Sequence, residues 1–268
     1  MVFDTSTVNY FAYGYEKDIP GDPNREATYI FLFNPTKHNA EVTATIYYEN
    51  PENEPSQLTC SVPSEGRTLV LGWSKIGRDV VAKNARFGTK LLSTEPIIAE
   101  LGMASYWPED DHKTRDMNFV FGAPTLSKVW YHAYGYSGYP KAEKGLKETF
   151  YVYILNPNKK DAELDLTVYY TPFLWGPEPE DRDASEPTKS EHKVVVPGEH
   201  MKAVLLDDLV NFHVRPRGKS RDWSGRFVSS EPVCIEYECA AWRAGNPLMM
   251  GRTITMCRPW PLELYEAL

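Results

Sequence analysis

The chain has 268 residues, 42% of them hydrophobic and 25% charged, and a formal net charge of −8. This composition excludes a disordered chain, and no run of roughly 18 apolar residues offers a membrane-spanning helix. The acidic balance argues against duplex nucleic acid as the main partner, because phosphate binding needs a concentrated positive surface.

Taken from the N-terminus, MVFDTSTVNY shows no basic stretch followed by an apolar one, so no signal peptide is expected. Tyr29 to Phe33 is continuously apolar, as in a central strand, and NPTKHN then supplies a turn. The next stretch alternates: Val42, Ala44 and Ile46 point one way, and Thr43, Thr45 and Tyr47 the other. LTCSVP around Cys60 alternates as well. A basic loop with Lys75, Arg78, Lys83 and Arg86 precedes the strand-like FGTKLLSTEPIIAE, and SYWPEDDHKTRDM at 105–117 reads as a polar loop. Helical signal is nearly absent, with DDLVNF the best short candidate.

The same order then repeats. EATYIFLFNPTKHNAEVTATIYY at 26–48 aligns without a gap to ETFYVYILNPNKKDAELDLTVYY at 148–170, with 10 of 23 positions identical. AYGY occurs at Ala12–Tyr15 and Ala133–Tyr136, and VPSEGRTLVL at 62–71 answers VPGEHMKAVL at 196–205. FGTKLLSTEPIIAE at 87–100 answers WSGRFVSSEPVCIE at 223–236. The repeat predicts two tandem, homologous antiparallel β-sandwich domains, jelly-roll-like, at 1–125 and 126–268. PTLSKVWY joins them with no Gly/Ser linker, so they are expected to pack closely. The first half carries −6 and the second −2 of the net charge.

These ordered motifs, from AYGY through E-V-T-A-T-I-Y-Y and the V-P turn to the strand after S-T-E-P, resemble the sensory rhodopsin transducer family. The resemblance implies a β-sandwich unit that assembles into homotetramers, here duplicated within one chain, so that two chains would supply four sandwiches. It also makes a role in carbohydrate recognition plausible, and it carries over no catalytic residue.

Four cysteines are too few for a secreted disulfide scaffold, and without a C-x-x-C pair they are expected as free, mostly buried thiols in a cytoplasmic protein. Six histidines show no metal-ligand spacing, and His132, where the first copy has Phe11, is expected to pack in the core. No cofactor or metal is expected, since the phosphate-loop, dinucleotide, zincin and nucleophile-elbow motifs are absent. Two functional readings remain. One is a non-catalytic, oligomeric ligand-binding or transducer-like protein that recognises carbohydrate, with Trp107 and Trp242 covering a sugar face and Glu26 and Glu148 taking hydroxyls. Arg215 and Arg217 in HVRPRGKSRDW are its candidates for an anionic small molecule. The other is a carbohydrate-active enzyme, with a carboxylate pair from Glu100, Glu236 and Glu238 in a pocket at the sandwich interface.

Overall fold

A computed structural model describes residues 5–17, 25–71, 79–107, 110–137, 146–170, 189–209, 221–243 and 249–259. Among these the chain is nearly all β. The first repeat supplies β1 (Ser6–Glu16), β2 (Arg25–Asn34), β3 (Ala40–Tyr48), β4 (Ser56–Val62), β5 (Gly66–Val70), β6 (Ala85–Trp107) and β7 (Asp110–Phe121). The second supplies β8 (Ser127–Ser137), β9 (Leu146–Asn156), β10 (Ala162–Tyr170), β11 (Lys189–Val196), β12 (His200–Leu205), β13 (Arg221–Arg243), β14 (Met249–Met256) and the two-residue β15 (Arg258–Pro259). One short helix, α1 (Leu206–Leu209), begins at the predicted DDLVNF segment.

Pairing is antiparallel and stays within β1–β7 and within β8–β15. Each set forms a curled sheet that folds over into two layers because one 23-residue strand serves both. The first part of β6 lies between β1 and β3, with β4 beyond; we term this layer A1. Its last part lies between β2 and β7, with β5 beyond β2; this is B1. Strand β13 does the same, building A2 with β8, β10 and β11, and B2 with β9, β12 and β14. The change of layer falls between Ser93 and Ile98 in β6 and between Ser229 and Cys234 in β13. Pro96 and Pro232 sit inside those spans, where a residue without an N–H interrupts the ladder least.

Local anchors recur in both copies. Buried Asn34 donates through Nδ2 to the carbonyls of His38 and Val62, and Asn156 does so to Lys160 and Val196. The backbone N–H of Glu41 donates to Thr94 Oγ1, and that of Glu163 to Ser230 Oγ. Glu65 and Glu199 take equivalent left-handed turn positions, with φ of 51° and 59°.

Two sequence expectations need correction. Residues 105–107 and 110–117 are strand and not loop: β6 runs on to Trp107 and β7 starts at Asp110, pairing back on it. Their polarity reflects an edge strand, whose residues need no apolar periodicity. The alternation read in β3 also fails on its second face, where Thr45 and Tyr47 are buried with Ala44 and Ile46. In β10 the alternation holds at Asp165 and Tyr169, which are exposed, and fails at Thr167, which is buried like Thr45. The two strands differ at Tyr47, which is 6% exposed, against Tyr169 at 39%, because the second repeat lies on the outer face of A1. The four cysteines are free, with Cys60, Cys234 and Cys257 buried and Cys239 half-buried.

Candidate functional site

A polar cluster lies where the outer face of A1 meets the outer face of B2. Strand alternation decides which side chains enter it. Tyr237 turns inward, its ring 3.9 Å from that of buried His132, so Glu236 and Glu238 turn outward toward A1. Their cross-strand neighbours Tyr153 and Tyr151 on β9 share that face. From β1 comes Tyr13, whose ring stacks on Tyr153 with centroids 3.7 Å apart and planes 9° off parallel. His132 also lies 4.7 Å from the Trp223 ring, the packed core position expected for it.

The carboxylates are held by protein groups. Glu236 Oε2 accepts from the backbone N–H of Tyr13 at 3.0 Å. That N–H is available because the β1–β6 register shifts between Phe11 and Gly14, lifting Ala12 and Tyr13 out of the ladder. Glu236 Oε1 is buried and finds no hydrogen-bond partner within 3.5 Å among the described residues. Burial pushes the Glu236 carboxyl up to about 8, although the amides of Ala12 and Tyr13 pull it back. Glu238 accepts from the Tyr153 hydroxyl. The phenol of Tyr153 is pushed well up, first by burial and then by Glu238.

Arg86 fastens the edge of the seam. Its guanidinium carbon stands 5.4 Å from the Tyr15 ring centroid and 5.5 Å from that of Tyr151, one ring from each repeat. It pairs with Glu49 at 3.3 Å, and Glu49 Oε1 accepts from the Ala203 backbone N–H across the seam. Gly88 lets the layers approach: a Cβ there would meet Leu155 Cδ1 at 2.9 Å and the Phe11 carbonyl oxygen at 3.1 Å.

The predicted site residues therefore separate. Glu236 and Glu238 come together in the seam. Glu100 stands on the outer face of B1, away from them, half-exposed, with its carboxyl raised by burial. Glu26 is buried at the start of β2 and bridges through its backbone to Lys17. Glu148, Trp107 and Trp242 occupy strand positions at the ends of β9, β6 and β13, and their side chains lie outside the described residues. Arg215 and Arg217 lie outside the described residues altogether. Next to Trp107, the Tyr106 hydroxyl bonds the Tyr29 hydroxyl, closing a small aromatic cluster with Ala27 and Ala104. Among the described residues no group of His, Cys, Asp and Glu is placed to hold a metal ion. Sequence reading missed Tyr13 and Tyr153, and it set Arg86 in a basic loop where the structure has it in β6. Tyr13 in the repeated AYGY was the available signal; for Arg86 the sequence showed the charge but not its partners, which come from both repeats.

The fold and this seam define an all-β protein of two β-sandwich-like units. No protein-family model matches the chain, and no curated protein matches it. Among solved structures it is similar to the Anabaena sensory rhodopsin transducer, at 20% identity over 38% of this chain and 91% of that one, with a TM-score of 0.31. It is also similar to Thermotoga maritima 1070, at 13% identity over 44% of this chain and 94% of that one, with a TM-score of 0.36. Both likenesses concern the fold alone.

Proposed function

We propose that the chain is a non-catalytic, transducer-like β-sandwich protein that binds a ligand and turns over no substrate. The observation that supports this reading is the fate of the paired carboxylates. Glu236 is fully buried and Glu238 is 3% exposed, and they are bonded to Tyr13 and Tyr153. A carboxyl that protonates or attacks a glycosidic bond must reach it within hydrogen-bond distance, and these two are enclosed by protein. Carbohydrate is the ligand class we assign, at the Trp107 end of B1 and the equivalent Trp242 end of B2. There, aromatic residues neighbour the strand starts that bear Glu26 and Glu148.

Two measurements test this. A panel of aryl glycosides should show no hydrolysis, and turnover abolished by Glu236→Gln would overturn the non-catalytic reading. A thermal-shift screen of neutral sugars and sugar phosphates should find a ligand that raises Tm by mass action, and that shift should be lost in Trp107→Ala or Trp242→Ala. A screen with no shift would overturn the carbohydrate assignment.

A further inference from the structure

Glu100 stands in the middle of the outer face of B1, ringed by phenylalanines. Phe31 and Phe121 lie directly across from it on β2 and β7. Phe33 and Phe119 are diagonal neighbours, paired to Ile98 and Gly102, which precede and follow it on the same face of β6. Tyr29 is diagonal too, with its hydroxyl taken by Tyr106. Phe33, Phe119 and Phe121 are 44%, 48% and 48% exposed, more apolar surface in one place than scattered exposure gives. Gly102 lets two rings close in beside the carboxylate. A Cβ there would meet Phe119 Cε1 at 3.0 Å and Phe31 Cε2 at 3.1 Å, and the two ring centroids are 5.8 Å apart with planes tilted by 51°. No ion pair among the described residues includes Glu100, and burial is the influence that raises its carboxyl.

The fold does not require these rings. Glu236 holds the same position in B2, and there the places of Phe31, Phe121, Phe33 and Phe119 are taken by Tyr153, Met256, Leu155 and Ile254. In B2 the seat above the carboxyl is filled by protein, since β1 lays the Tyr13 backbone N–H on it. In B1 that seat is open among the described residues, and all four places are phenylalanine. A half-buried anion without a countercharge costs free energy that no contact in the chain offsets. Each ring also presents a negative face, so the rings and the carboxylate favour the same guest: a compact cation with an apolar shell. The middle of the face offers one polar side chain, too few for the many hydroxyls of a sugar or for the ligand shell of a metal ion.

We infer that the phenylalanine face of B1 binds a small organic cation of the quaternary ammonium class, with Glu100 as its countercharge and Phe31, Phe33, Phe119 and Phe121 as its walls. The guest takes the place over Glu100 that the Tyr13 N–H takes over Glu236. Its methyl groups lie on rings instead of in water, and its charge meets the carboxylate where partial burial strengthens the pairing. Trp107 lies seven residues further along β6, roughly 23 Å away at about 3.3 Å per residue. The cation site is therefore separate from the sugar site proposed at the Trp107 end, and it does not rest on the carbohydrate reading.

Isothermal titration calorimetry of the full chain with tetramethylammonium and with choline tests it, at constant ionic strength against sodium. Each cation should bind saturably, one per chain. The carbon isostere of choline, uncharged and of the same shape, should bind at least roughly fivefold more weakly. Glu100→Gln should weaken both cations at least roughly fivefold, with circular dichroism unchanged. Phe119→Ile and Phe121→Met install the residues that B2 carries at those places, so the fold is kept, and each should weaken binding by roughly threefold or more. Any sugar-induced shift in Tm should be the same in all three variants. No saturable binding of either cation, equal binding of the uncharged isostere, or unchanged affinity in Glu100→Gln would each overturn the inference. So would a face occupied by a second copy, seen as self-association in sedimentation equilibrium that Phe119→Ile weakens and saturating tetramethylammonium leaves intact. A face occupied by neutral sugar, seen as a sugar-induced shift lost in Glu100→Gln, would overturn it as well.

Discussion

Glu236 and Glu100 hold the same position in two copies of one sandwich, yet one is enclosed and the other half-exposed. Nothing in their own strands accounts for this, since both sit in a long strand just after the layer change, between β9 and β14 or between β2 and β7. What differs is the neighbour. Among the described residues B2 has a second sheet laid on it and B1 does not, so a shared pattern yields a core on one side and an open aromatic face on the other. Burial is thus a property of the assembly of units, and residues that look interchangeable in the repeat have different energetic weight.

The comparison can be broken most sharply by truncating equivalent side chains. Leu155→Ala should cost about 2–5 kcal/mol in urea unfolding, because it opens a cavity in a packed seam. Phe33→Ala should stay within roughly 1 kcal/mol, since its side chain is 44% exposed. Equal costs would remove the distinction between the two faces.

Glu236 supplies the next test. Its folded carboxyl titrates at about 8 and its unfolded value is 4.5. The unfolded chain therefore loses this proton first as pH rises. The stabilisation associated with the protonated carboxyl is complete below about 4.5 and is lost as pH climbs through about 8. The total is on the order of 3–5 kcal/mol. Glu236→Gln should flatten that part of the stability profile and be more stable than the wild type at alkaline pH. The same change at Glu100 should alter the slope far less. A profile unchanged by Glu236→Gln would show that the seam carboxyl is not the group responsible.

Smaller effects sharpen the picture. Gly88→Ala places a methyl 2.9 Å from Leu155 Cδ1, so the seam must open, at a cost of about 1–3 kcal/mol by chemical unfolding. Arg86→Lys keeps the charge and loses the planar group between Tyr15 and Tyr151, for about 1 kcal/mol. That loss should shrink in a Tyr151→Leu background, where only the Tyr15 ring remains.

Much of the fold was legible before any coordinates. The repeat gave two like units, the alternation gave strands, and the Asn-Pro turns gave strand ends that Asn34 and Asn156 hold in place. The polar edge strand at Asp110–Phe121 was not legible, because an edge has only one neighbour to satisfy and so imposes little pattern. The carboxylates Glu236 and Glu238 stood out as residues with a task, but their partners did not. Tyr13 lies 223 residues from Glu236, and no local spacing encodes that separation.

Amino-acid order alone determined the class of fold, the internal repeat, and the faces each strand would present, because these follow from residue-to-residue periodicity. Only the tertiary structure decided which faces meet. It set A1 on B2, neutralised Glu236 by burying it, clamped Arg86 between tyrosines of both repeats, and left the phenylalanines of B1 uncovered. Such choices depend on long-range packing between identical patterns, and a pattern that occurs twice cannot say by itself which copy is covered.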